Sequence, residues 1–184
     1  PLSRQEWRDW LAENFDKSDG IWFVYFKKHT KKPFVSYEEF VEEALCFGWI
    51  DSVARKFDEE RSRLLFTPRK PKSVWSKPNK ERVERIIASG LITEIGLQKI
   101  EQAKLDGSWD ALNASDNLEI QEDLLKAFEA NDVAFENFDK FTVGVKKVIL
   151  SWIYGAKTAE TRAKRITETI SMAERNLRIQ FDKK

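Results

Sequence analysis

The sequence predicts an α+β fold: a small mixed sheet of about three strands with flanking helices, followed by a mostly helical C-terminal half. Every β-leaning run lies before residue 68, and from Ser76 onward apolar residues recur only at helical spacing. Two helix starts in the first forty residues also share one capping grammar, with a strand-like run between them.

Residues 2–15 open that pattern. Ser3 stands as N-cap, Glu6 three residues on closes a capping box, and Leu2 is placed to staple onto Trp7. Trp7, Trp10, Leu11 and Phe15 then make one apolar stripe. After Gly20 the run IWFVYF, Ile21 to Phe26, is apolar at both alternating sets of positions, which predicts a strand covered on both faces. Val35, Ser36, Glu39 and Phe40 repeat the staple, cap, box and staple, and Gly48 stands where a C-terminal cap ends a helix. Trp49 to Phe57 and Arg61 to Thr67 are β-leaning runs separated by Asp58-Glu59-Glu60, so a hairpin is expected.

The rest reads as helices. Val83, Ile86 and Ile87 mark one that ends at Gly90; Leu97, Ile100 and Ala103 mark another, ending near Gly107. Asp116 and Glu119 form a capping box ahead of Ile120, Leu124 and Phe128. Val145 to Ala156 keeps helical spacing, and Ala163, Ile166, Ile170, Ala173 and Leu177 alternate steps of three and four. Residues 1–75 are therefore expected to form an α/β N-terminal part and residues 76–184 a helical C-terminal part, the two sharing one core as a single compact unit.

Composition narrows the function classes. The 184 residues are 41% hydrophobic and 34% charged, which fits an ordinary globular protein and argues against disorder. A net charge of +1 makes no global case for nucleic acid or an anionic membrane. Cys46 and His29 are single residues of their types, so no intrachain disulfide and no Cys/His zinc set can form; a reducing cytoplasm is expected, with neither metal nor cofactor. No apolar run approaches the roughly 18 residues of a membrane span, and the opening PLSRQEW has no signal-like apolar region. Nucleotide fingerprints, phosphate-cradling loops and nucleophile elbows are absent from the sequence.

Charge is distributed unevenly all the same. Residues 60–85 carry nine basic and three acidic side chains, a local net of +6, whereas residues 116–139 carry eight acidic residues and one lysine. Within the basic run Ser73, Ser76 and Asn79 flank a helix start, where free backbone N–H groups and the guanidinium groups of Arg63, Arg69 and Arg82 make a competent anion pocket. Trp75 either plugs the edge of the domain or offers a stacking platform beside an arginine. Asp51, on a helix-to-strand turn, either closes the turn or orients an arginine, and a catalytic base is the enzymatic alternative. The basic run is short and without a recognised binding signature, so a nucleic-acid partner is not expected. His29 reads as an exposed bystander and Cys46 as core. Lys157, Thr161, Arg162 and Arg165 read as helix-end and solvated groups.

Several separated stretches resemble one family. FGWIDS from Phe47, RKPKSVWSKPNKERVERIIASG from Arg69, AKLDGSW from Ala103 and WIYGAKTAETRAKRI from Trp152 are similar, in that order, to the YdeI/OmpD-associated or bacteriocin-protection family. The resemblance implies a bacterial, cytoplasmic protein of mixed α and β structure, and it supplies no catalytic residue or cofactor.

The reading that follows is a protein binding a small anionic or aromatic ligand in the Arg61–Arg85 region, through Asp51, Arg63, Arg69, Ser73, Trp75, Ser76, Asn79 and Arg82. The alternatives are a hydrolase or transferase using Asp51 in that pocket, and a module whose acidic helices, residues 116–139, dock a protein partner.

Overall fold

The computed structural model describes residues 2–32 and 35–177. It divides into two compact units, one through Asp110 and one from Ala111. The last strand ends at Pro68 and the next helix begins at Lys77, and the two helices that follow belong to the core of the sheet-bearing unit.

In the first unit α1 (Arg4–Asn14) precedes β1 (Ile21–Phe26), a 3-10 turn (Lys28–Thr30) and α2 (Tyr37–Cys46). The hairpin β2 (Trp49–Lys56) and β3 (Arg61–Pro68) comes next, then α3 (Lys77–Ala88) and α4 (Glu94–Leu105). The strand order is β1-β3-β2 and both pairings are antiparallel, so the sheet expected as mixed is antiparallel throughout. The reason lies in the connection: α2 carries the chain from β1 past a vacant place to β2, and the hairpin then inserts β3 between them.

Local chemistry explains most helix ends. Ser36 and Glu39 form the complete capping box at α2, and Gly48 adopts φ 71° behind it, a left-handed conformation that glycine takes without a Cβ penalty. At α1, Ser3 accepts from Glu6 N–H as expected, but the Glu6 carboxylate takes the N–H of Leu2. Leu2 is exposed, so the expected staple to Trp7 is not made. Trp7 goes instead to the core, where it packs on Phe23 and Phe66 and donates its indole N–H to Phe40 O.

One face of the sheet, with Phe23, Leu64 and Phe66, carries that core together with Leu11, Phe40, Leu45, Trp49, Val83, Ile86 and Ile100. The other face of β1 departs from expectation: Trp22, Val24 and Phe26 are only half-buried, and arginine side chains rather than a second layer lie over Trp22. Helix α4 approaches the end of α2 so closely that a Cβ on Gly96 would stand 2.3 Å from Cys46 O. Thr93 fixes the approach by donating both its N–H and its hydroxyl to that carbonyl. Glu43 is a buried carboxylate that accepts from Arg4 at 2.6 Å and from Arg8 at 2.7 Å, as a buried charge requires.

The second unit holds α5 (Asn113–Asp116), α6 (Glu122–Glu129), α7 (Asp132–Asp139), α8 (Val143–Tyr154) and α9 (Ala159–Glu174) around Leu124, Phe128, Phe138, Leu150 and Ile153. The capping box predicted at Asp116 and Glu119 is not formed. Asp116 ends α5 and pairs with Lys147, Leu118 takes φ 58°, and α6 starts after Gln121 without a side-chain cap. Asn131 separates α7 from α6 and caps it through Ala134 N–H. Among the described residues no helix is long and apolar enough to cross a membrane.

Candidate functional site

The eight residues expected to form one pocket fall in three places. Arg69, Ser73 and Trp75 come together after β3. The Arg69 N–H donates to Gly48 O, after which Lys70-Pro71-Lys72-Ser73 turns back, with Ser73 N–H on Lys70 O and Lys72 at φ 60°. This is the geometry of a type II turn, with proline at its second position and a lysine where glycine is usual. The Ser73 hydroxyl also donates to Lys70 O, so it closes the turn.

The Arg69 guanidinium is carried inward by this turn. It lies 3.6 Å from the centroid of Trp75 and donates to Val74 O at 2.9 Å and Ser73 O at 3.3 Å. Trp75 is fully buried and packs at 5.0 Å on Trp109, so the guanidinium rests on a fixed indole face. Arg69 has no carboxylate at ion-pair distance among the described residues, and burial pulls its pKa down to about 10 against the opposing influence of Asp51. It remains a cation at neutral pH.

Beside it is a recess of about 40 Å³, lined by Arg69, Lys70, Lys72, Lys99, Asp106 and Ser108. That volume takes about three water molecules, or one small oxyanion reaching in from the open side. Asp106 spends its oxygens on the backbone N–H groups of Lys72 and Ser108, and the Ser108 side chain leads the influences that hold its carboxyl below the usual range. The Ser108 hydroxyl oxygen is buried and has no hydrogen-bond partner among the described residues.

Asp51, Asn79 and Arg82 form a second place. Arg82 grips Glu38 through two N–H groups at 2.9 and 2.6 Å, donates to Asn79 Oδ1 at 2.8 Å and lies 5.5 Å from the Tyr37 ring. Its hydrogen bonds are what chiefly hold the Glu38 carboxyl below the usual range. Asp51 accepts the Tyr37 hydroxyl at 2.8 Å; partial burial first, and this bond second, push the phenol up to about 12. Ser76 sits at the head of α3 as N-cap, without a side-chain capping bond. Arg85 continues the pattern onto Glu38 and Glu42, so this place is a seam of ion pairs between α2 and α3.

Arg63 is in neither place. It alternates with the core residues Leu64 and Phe66 and lies on the opposite face of the sheet, 4.6 Å from the Trp22 ring.

The sequence reading missed Tyr37, Glu38, Lys99 and Ser108. Glu38 had a signal: acidic residues at 38 and 42 on one helix match basic residues at 82 and 85 on another. Lys99 and Ser108 had none, because α4 brings them to the turn from thirty residues away. The acidic helices are partly neutralised within their own unit, by Asp116–Lys147, Asp123–Arg162 and Asp139–Lys146. Arg162 also donates to Gln121, and Arg165 to Trp152 O. Among the described residues no group of three His, Cys, Asp or Glu is placed to hold a metal ion.

Two family models match the chain. The domain of unknown function DUF8412 covers residues 2–99, and the model described as bacteriocin-protection, YdeI or OmpD-associated covers residues 117–176. No curated protein and no solved structure matches.

Proposed function

The chain belongs to the DUF8412 family through residues 2–99, and on that premise we propose that its sheet-bearing unit is a binding protein for a small oxyanion, held in the recess of Arg69, Lys70, Lys72, Lys99 and Ser108. One observation supports this above the others: four cations, Arg69, Lys70, Lys72 and Lys99, and a single carboxylate, Asp106, line one cavity, which leaves an excess of positive charge, and none of the four makes an ion pair among the described residues, whereas Arg61, Arg82 and Arg85 are each neutralised by a carboxylate. A tetrahedral oxyanion supplies the missing charge, and the Ser108 hydroxyl the missing directional bond. With its carboxylate on the Tyr37 hydroxyl, Asp51 is read as a structural acceptor rather than a general base. The reducing cytoplasm is the proposed compartment, and protection against bacteriocins, which the second family's name states, is the proposed biological setting.

Titration with inorganic phosphate at low ionic strength, followed by calorimetry and thermal melting, tests this reading. Phosphate is expected to raise the melting temperature, because a ligand that binds only the folded state stabilises it. The double variant Lys72→Gln, Lys99→Gln is expected to lose that shift while keeping its own melting temperature. A wild-type protein whose melting ignores phosphate and sulfate, or a double variant that keeps the full shift, overturns it.

A further inference from the structure

The face of the sheet turned away from the core carries a second cationic arrangement, which whole-chain charge does not reveal. β1 places Trp22, Val24 and Phe26 there, and β3 places Leu65, Arg63 and Arg61 opposite them. On the other side of β3, Arg55 of β2 is the direct register partner of Arg63. Like charges facing each other across a strand pair are destabilising. Here both lean on one ring: Trp22 has the Arg63 guanidinium at 4.6 Å and that of Arg55 at 5.6 Å.

Neither Arg55 nor Arg63 has a carboxylate at ion-pair distance among the described residues, and Arg63 Nε is buried without a partner. The cations next to them are neutralised, Arg61 by Asp58 and Lys32 by Glu60. Two more aromatic rings complete the strip: Phe57, half-exposed with Arg61 at 4.7 Å, and Phe26 with Lys32 at 5.0 Å.

We propose that this face binds single-stranded nucleic acid, with phosphates on Arg55 and Arg63 and unpaired bases stacking on the ring and guanidinium planes of Trp22, Arg63 and Phe57. A positively charged surface interleaved with flat rings is the chemistry that single strands use, because only their bases are free to stack on protein. An acidic peptide would satisfy the arginines and leave the rings unused. The sequence argued against nucleic acid because its basic run is short and carries no recognised binding signature; Arg55 lies outside that run, and only strand pairing sets it beside Arg63.

The test is fluorescence anisotropy of a short labelled oligothymidylate, titrated with the full chain over a series of salt concentrations. Saturable binding that weakens with salt is expected. Arg55→Gln alters an exposed side chain and is expected to reduce the salt slope by about one. Trp22→Leu, checked for fold by circular dichroism, is expected to weaken the oligonucleotide by about fivefold or more. The same change should leave polyglutamate binding unmoved. The Lys72→Gln, Lys99→Gln variant is expected to bind the oligonucleotide as wild type does, which separates this face from the recess. Absence of saturable binding at low salt overturns the proposal. So does binding indifferent to both Arg55→Gln and Trp22→Leu, or polyglutamate bound as tightly as the oligonucleotide.

Discussion

The Arg69 guanidinium lies 3.6 Å from the centroid of the Trp75 ring and is held there by the carbonyl oxygens of Ser73 and Val74. Trp75 is thus at once a core residue and the seat of a buried cation. Lysine can neither stack its plane nor reach both carbonyls, so Arg69→Lys is expected to cost about 1–2 kcal/mol. Trp75→Ala, which empties a fully buried site, is expected to cost about 3–5 kcal/mol. Urea unfolding with an unchanged m-value checks both.

The ion pair of Arg82 with Glu38 makes stability depend on acid. Arg82 lowers the folded-state pKa of Glu38 below its unfolded value, so the stabilisation is complete above the ordinary glutamate range and is lost as pH falls through the folded value. Arg82→Met is expected to cost about 0.5–1 kcal/mol at neutral pH, a modest figure because Glu38 is half in solvent. The difference from wild type should narrow as the pH of the urea series is lowered below 4.5. A gap that stays constant would show that packing rather than charge is responsible.

Tyr37 gives an alkaline counterpart. Its phenol, pushed up to about 12, keeps its proton in the folded state while the unfolded chain loses it near 10, so stability is expected to fall as pH rises between those values. Asp51→Ala removes the acceptor and should bring the Tyr37 titration down, though not fully, because burial is the larger cause. Ultraviolet titration of wild type, Asp51→Ala and Tyr37→Phe resolves the shift.

Gly96→Ala reverses a common rule. Alanine in a helix interior normally stabilises by about 1 kcal/mol relative to glycine. Here the added methyl would meet the Cys46 carbonyl oxygen, a backbone atom pinned by Thr93, and the cost is expected to be about 3 kcal/mol or more. Thermal melting of the variant checks the sign.

The amino-acid sequence by itself determined what depends on near neighbours along the chain. The capping box at Ser36 and Glu39, the hairpin from Trp49 to Pro68 and the helical spacing after residue 76 were all legible, because caps, turns and apolar periods act over a few residues. The clustering of basic residues in 60–85 was legible too, but not their division. Strand alternation sends Arg63 to one face of the sheet, the Lys70–Ser73 turn folds Arg69 inward, and Arg82 meets Glu38 across two helices. Only the tertiary structure decided which cations are neutralised and which remain, since a charge on a helix or strand is satisfied by whatever the fold brings opposite it. Lys99 and Ser108 reach the recess, and Arg55 reaches Arg63, through pairings between residues far apart in the sequence, and no local pattern records them.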